Sequence, residues 1–300
     1  MTQVTAVSFD AKSGNYFAKV GSKTIKSYSK AYVEKRLKAM VGDIEQAIVV
    51  ATEKQNRFSI NERFSFVEKL VNMVATGVQP SAVITGSGGL GKTYTVTKTL
   101  ESNGYKDISD LAEFQVGSVI NTRKCFTMVK GYSTAKGLYR TLFENNKSII
   151  VFDDCDAVLK DPVALNLLKG ALDSYGKRII SWNADMRDED LPRSFNFEGR
   201  VIFISNMAQD KIDQAIRSRS MMIDLEMSTE QKIERMETIA KSAEFMPEYD
   251  AKVKSDSLAL IREVSGEAKE ISLRTLISVC KIRAANPKDY KDLATYVLTA

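Results

Sequence analysis

Residues 81–94 read SAVITGSGGLGKTY, an apolar strand that runs without a break into a loop rich in glycine. Gly86 to Thr93 meets the pattern G-x-x-x-x-G-K-[ST] at every fixed position. The chemistry explains the composition. Glycine adopts backbone conformations barred to residues with a side chain, so the N–H groups of Gly86, Ser87, Gly88, Gly89, Leu90 and Gly91 can turn inward around an anion. Lys92 adds a point charge for the β- and γ-phosphates of a nucleotide, and the Thr93 hydroxyl is an oxygen ligand for Mg²⁺. Tyr94 follows in the first turn of a helix whose N-terminal dipole favours negative charge. Such a loop joins a buried strand to the helix that follows it, which constrains the chain to an α/β architecture.

The rest of the sequence agrees with that constraint. Strand-like apolar runs fall near 82–85, 126–129, 148–153, 179–182, 200–205 and 221–225, with helical patterns near 91–102, 134–145, 163–174 and 210–217. Strands that alternate with helices predict a parallel sheet with crossover connections. After MMIDLEMS (221–228) no strand-like run remains, and residues 229–245, 253–265, 271–285 and 287–298 read as helices, with Ser228 or Thr229 as a first cap. Ahead of the sheet, residues 1–41 predict two or three short strands and a helix capped by Ser29. Residues 43–57 and 60–77 read as two further helices, the second with Phe64, Val67, Leu70, Val71 and Val74 at helical spacing. The predicted organisation is a basic N-terminal α+β unit over 1–42, a nucleotide-binding α/β domain over 43–226 and an all-helical domain over 227–300.

A second acidic element completes the first motif. SIIVFDDCD (148–156) is a buried strand ending in carboxylates, and a phosphate-binding loop needs such a residue on a neighbouring strand to organise its metal. Asp153 is the candidate for Mg²⁺ and Asp154 for polarising an attacking water. Asp156 is a further candidate if the loop curls back.

Composition removes several function classes. Histidine is absent from the 300 residues, which excludes His-based acid–base chemistry and His-ligated metal centres. Cys125, Cys155 and Cys280 are odd in number and far apart, so neither a disulfide framework nor a zinc site is predicted. No apolar run approaches the roughly 20 residues of a membrane span. The N-terminus lacks the layout of a signal peptide, so the expected setting is reducing cytoplasm with no membrane partner. Charge is uneven. Residues 1–40 hold eight Lys and Arg against two Asp and Glu, a surplus of six in a chain of net charge +5, so the remainder sums to −1. A basic arm on a near-neutral body suggests a polyanion partner.

Taken in order, these motifs resemble the AAA+ family of P-loop ATPases over roughly residues 45–300. GRVIFISN (199–206) is an apolar strand ending in a polar residue where the family has sensor 1, which implies that role for Asn206. DQAIRSRS (213–220) resembles the segment ending A-L-x-S-R in clamp-loader-like members. It implies an arginine finger at Arg219, with Arg217 as the near alternative, reaching the γ-phosphate bound by the next subunit. ISLRTLISV (271–279) resembles sensor 2, which implies contact of Arg274 with phosphate, and the helical C-terminal region matches the family's lid. The resemblance implies ATP and Mg²⁺ as ligands, hydrolysis to ADP and phosphate, and a homo-oligomeric ring, a hexamer. The build resembles small single-ring ATPases of bacteriophage or bacterial origin. One departure stands out. Most members carry glutamate where this chain has Asp154, and the shorter side chain withdraws the carboxylate by about 1.5 Å, which implies slower hydrolysis.

In translocating members the loop after the second strand lines the pore. CFTMVKGYSTAKG (125–137) is in the matching place, so Lys130, Gly131 and Tyr132 are candidates for gripping a threaded chain, with Ser133 or Thr134 capping the helix that follows. Two clients stay open. One is nucleic acid or nucleoprotein, bound through Lys19, Lys23, Lys26 and Lys30 with Tyr16, Phe17 and Tyr28 interleaved. The other is a polypeptide recruited by the N-terminal unit. A third reading, a small-molecule kinase on the same loop, is disfavoured by the arginine and lid segments.

Overall fold

All five residues of the strand Ser81–Thr85 are buried, a condition strands meet when helices cover both faces of a parallel sheet. The computed structural model describes residues 8–10, 15–20, 23–38, 57–109, 124–174, 176–183 and 191–300. The chain divides into two compact units, Met1–Arg57 and Phe58–Ala300.

In the first unit β1 (Ser8–Asp10), β2 (Asn15–Val20) and β3 (Lys23–Ser27) form an antiparallel sheet, and α1 covers residues 30–38. The Ser29 hydroxyl accepts the Tyr32 N–H at 3.3 Å, the cap expected from the sequence. Pairing of Phe17 with Lys26 and of Lys19 with Thr24 puts these four residues on one face, opposite the buried Ala18.

The second unit opens with α2 (Ile60–Ala75), started by a capping box between Ser59 and Glu62. Then follow β4 (Ser81–Thr85), α3 (Lys92–Ser102), β5 (Lys106–Asp107), β6 (Cys125–Lys130), α4 (Ala135–Glu144), β7 (Ile149–Asp153), α5 (Pro162–Ala171), β8 (Ile179–Ser181), β9 (Ser194–Asn196), β10 (Arg200–Ile204), α6 (Gln214–Arg217) and β11 (Met221–Asp224). Six strands form one parallel sheet in the order β11-β4-β10-β7-β6-β5. Apolar side chains alternate across β7: Ile150 and Phe152 join the core under α4 and α5, Ile149 and Val151 the core under α2 and α3. The chain leaves β4 toward one edge and returns through β10 to the other. This strand order brings the carboxyl ends of β4, β10 and β7 side by side at the switch point where open α/β sheets bind ligands.

Four helices complete the unit: α7 (Thr229–Ala240), α8 (Ala251–Glu263), α9 (Leu273–Ala285) and α10 (Tyr290–Thr299). They have their own apolar core, in which Met236, Ile261, Leu276 and Val279 are fully buried. Ser228 caps α7 in a box with Gln231.

Three expectations change. The run near 179–182 is a strand, but β8 pairs antiparallel with β9 outside the main sheet. The strand beside β7 is β10, whose residues bury better than the exposed–buried–exposed β8. The edge strand β5 was missed. The helix expected over 210–217 is a 3-10 turn at Gln209–Lys211 and the short α6, because Asp213 caps a new start with its side chain on the Ala215 N–H. The helix expected over 43–57 lies outside the described residues, apart from Arg57. Among the described residues no helix is long and apolar enough to cross a membrane.

Candidate nucleotide site

The glycine loop is gripped from two sides. At Gly86 (φ +130°) a Cβ would lie 2.7 Å from the carbonyl carbon of Leu225, so a side chain has no room beside the segment linking β11 to α7. Next to it the Ser87 hydroxyl donates to Glu226 Oε1 at 2.9 Å. On the other side Gly89 lies against the start of α9: a Cβ there would meet Ser272 Cβ at 3.0 Å, and the Gly89 carbonyl accepts the Leu273 N–H at 2.8 Å. Leu90 is buried in the core below, and Gly91 (φ +92°) caps α3. Helical region and loop therefore meet through backbone.

Lys92 is buried with its ammonium turned back into the loop. It donates to the Ser87 carbonyl and to Asn206 Oδ1, each at 2.8 Å, and to the Gly86 carbonyl. Burial pulls its pKa down, and the carboxylates of Asp154 and Asp153 oppose that shift. Thr93 Oγ1 donates to Asp153, 3.0 Å to Oδ1 and 3.2 Å to Oδ2. Burial pushes the Asp153 pKa up; the Thr93 hydrogen bond opposes the shift and the Asp154 charge reinforces it. Asp154 sits in the left-handed region (φ +56°), its N–H donating to the Ile204 carbonyl at 3.0 Å. Asn206 Nδ2 donates to Asp154 Oδ1 at 2.7 Å. Lys92, Asn206 and Asp154 thus form one line of hydrogen bonds across the ends of three adjacent strands.

A cavity of about 180 Å³ opens on this line. It gathers Gly88, Gly89, Gly91, Lys92, Thr93, Tyr94, Asp153, Asp154, Asn206 and, from α9, Arg274. Gly86 and Ser87 border it through the carbonyls that hold Lys92. Tyr94 also reaches outward, its hydroxyl donating to Glu244 Oε2 at 2.5 Å. A larger opening of about 840 Å³ lies between α7 and α8, lined by Ala240, Ala251, Leu258 and Ala259 among others. None of the glycine loop, Lys92 or Thr93 lines it.

The other candidates lie elsewhere. Lys130 Nζ stands 4.0 Å from Asp153 Oδ2, at the rim of the site. Tyr132 is 81% exposed beyond Gly131 (φ +86°), and Thr134, not Ser133, caps α4. Arg219 adjoins the opposite end of the sheet, where its carbonyl accepts from Ser81 Oγ at 3.4 Å and its Nη1 donates to the Ala215 carbonyl at 3.1 Å. Arg217 is exposed at the end of α6. The length of β4, about 13 Å, separates this end from the cavity. Asp156 does not line the cavity; its Oδ1 accepts from Ser205 Oγ at 2.6 Å. Glu226, Ser272 and Glu244 went unnoticed in the sequence, since each meets the loop only through the fold.

The residues present fit a magnesium nucleotide. Hydroxyl and carboxylate oxygens are the ligands Mg²⁺ takes, and it keeps most of its remaining sites for water and phosphate. Thr93 and Asp153 supply that pair. The Lys92 ammonium makes all its bonds to neutral acceptors, so phosphate oxygens replace them with a gain in charge.

The match to a family model agrees with the geometry. A family model described as "ATPase family associated with various cellular activities (AAA)" matches residues 82–231. A 36.7 kDa protein from the nrdC-mobD intergenic region of enterobacteria phage T4 is 28% identical over 254 residues, covering 79% of this chain and 73% of that protein. Among solved structures, PCH-2 of C. elegans aligns with a TM-score of 0.44 and 13% identity over 80% of this chain and 67% of that one.

Proposed function

The chain belongs to the family of ATPases associated with various cellular activities, and from that premise we propose that it hydrolyses ATP to ADP and phosphate with Mg²⁺, as a homo-oligomeric ring acting on nucleic acid or nucleoprotein. The observation that carries the hydrolysis is the convergence of the Lys92–Asn206–Asp154 line with the Thr93–Asp153 pair at one strand switch point. In this reading the loop N–H groups and Lys92 bind the β- and γ-phosphates. Thr93 and Asp153 hold the metal, which when bound neutralises charge on those oxygens. Asp154 accepts a hydrogen bond from the attacking water, and Asn206 fixes the angle at which it does so. Arg274 reaches the phosphates from the lid.

Arg219 and Arg217 lie at the far end of the sheet, so their role is assigned to the site of a neighbouring copy, as in a closed ring. A hexamer is the ring size the family resemblance implies. The division at 42 and 226 then separates a client-binding unit, a motor and a lid. For the client, exposed Lys23, Lys26 and Lys30 with the 79% exposed Tyr28 favour a polyanion that also stacks on aromatic rings. Lys130 and Tyr132 form the contact to a threaded strand.

The test is ATP turnover at rising protein concentration, with Lys92→Ala as control. Specific activity that climbs with concentration and vanishes in the control supports the assembled motor. A salt series of single-stranded DNA and RNA binding, repeated with Lys23, Lys26 and Lys30 changed to glutamate, identifies the client. Binding by neither, with capture of an unfolded polypeptide instead, would move the client to protein.

A further inference from the structure

Ser205 immediately precedes Asn206 and is completely buried. Its hydroxyl is committed in both directions. It donates its one proton to Asp156 Oδ1 at 2.6 Å and accepts the Met207 N–H at 3.0 Å. A serine has a single donor and a freely turning hydroxyl, so the two bonds together fix the rotor and, with it, the turn 205–207 on either side of Asn206. The acceptor that orients it comes from the segment that follows β7, two residues after Asp154. The same segment is tied to β10 a second time by the Asp154 N–H on the Ile204 carbonyl at 3.0 Å.

We propose that Asp156 is a positioning residue: with Ser205 it clamps the ends of β7 and β10 together and sets the angle at which Asn206 meets Asp154 and Lys92. The inference rests on the ATPase reading of the site. The need for a clamp is visible in Asn206 itself. Its side chain is exposed at the rim, yet it donates to Asp154 at 2.7 Å and accepts from Lys92 at 2.8 Å. An amide on a free strand end would lose its orientation to water. Asp154 is likewise held in a left-handed conformation, which is uncommon for a non-glycine residue and persists where the surroundings impose it. Asp156 lies outside the cavity lining, so it acts through Ser205 and not on the nucleotide.

The test is steady-state kinetics on Asp156→Ala, Asp156→Asn and Ser205→Ala, each also in an Asn206→Ala background. Orienting partners of this kind typically carry about 10–100-fold in activity. The expected result is a loss of that order in kcat with KM for ATP unchanged in Asp156→Ala and Ser205→Ala. Asp156→Asn keeps the acceptor oxygen and regains most of the turnover. Without Asn206 neither alanine change costs anything more, since coupled residues are not additive. An unaltered kcat in Asp156→Ala, or a loss that adds in full to that of Asn206→Ala, overturns the proposal. A second readout is independent of turnover: the side-chain amide resonances of Asn206 in the nucleotide-free protein. They shift toward solvent-averaged positions in Asp156→Ala and return in Asp156→Asn if the clamp exists, and stay in place if it does not. A wild-type protein that hydrolyses no ATP undoes the ATPase reading alone, and the amide signals still decide the clamp.

Discussion

Thr93 on the loop helix and Asp153 at the end of β7 share a hydrogen bond of 3.0 Å across sixty residues of sequence. Neither side chain has far to move to act on a cation. With a cation bound, the hydroxyl would turn its lone pair outward, and the carboxylate, which burial already burdens, would gain a positive charge closer than the Lys130 ammonium 4.0 Å away.

That arrangement predicts a sharp difference between two substitutions at one position. Thr93→Val keeps the shape and removes the oxygen, and it should lower Mg²⁺-dependent turnover by about 10²–10³, the usual cost of one electrostatic contact at a reacting centre. Thr93→Ser restores the oxygen and should recover to within about tenfold of wild type. Titrating Mg²⁺ against ATPase rate checks both. Equal rates in the valine and serine variants would remove Thr93 from the metal site.

The far-end position of Arg217 and Arg219 predicts complementation between defective copies. Arg219→Ala should cost about 10³–10⁵ in turnover, the range of an arginine supplied in trans, while ATP binding persists. Mixing it with Lys92→Ala should restore measurable activity, because some interfaces then pair an intact loop with an intact arginine. If Arg219→Ala is silent and Arg217→Ala is not, the finger is the exposed residue; silence in both leaves the arginines outside the reaction.

How much of this was legible in the sequence depends on how local the cause is. The loop 86–93, the acidic end of β7 and the strand carrying Asn206 are each written in a few consecutive residues, and the fold brings all three to one cavity. The place of β8 was not legible, since an apolar triplet does not state its partner and the better-buried Arg200–Ile204 wins the position beside β7. Two-residue β5 is too short to leave a pattern. Asp156 was visible, but its partner Ser205 is 49 residues away and only the fold joins them. The arm illustrates the reverse case: its lysines are obvious, while only the β2–β3 register shows that Lys19 and Lys26 share one face and Lys23 lies on the other.

Gly86 predicts how the loop depends on the segment behind it. Gly86→Ala would bring a Cβ to 2.7 Å from the Leu225 backbone at a φ that side chains avoid. Backbone cannot give way as a flexible side chain does, so the loop itself must shift. The expected result is loss of nucleotide binding in a protein that stays folded, read by a fluorescent ATP analogue alongside circular dichroism. Wild-type affinity in this variant would mean that the linker, not the loop, yields.

Arg63 carries the last prediction. It is buried at the start of α2, with Nη1 donating to the Glu226 carbonyl at 2.8 Å and the Asp224 carbonyl at 3.2 Å, and Nη2 to Gln231 Oε1 at 3.2 Å. Gln231 Oε1 also accepts the Ser228 N–H that begins α7. One guanidinium therefore binds the segment against which Gly86 is packed and the cap of α7. Lysine lacks the planar fork needed to reach all three acceptors. Arg63→Met keeps apolar bulk and loses these charge-assisted bonds, for an expected cost of about 3 kcal/mol. In a unit of this size that lowers Tm by roughly 6–12 °C. Arg63→Lys should recover less than half of it. Thermal unfolding with and without ATP separates the two consequences: the nucleotide-induced rise in Tm should shrink in both variants if the segment steadies the loop. A full nucleotide-induced rise in a destabilised Arg63→Met would confine Arg63 to holding the fold.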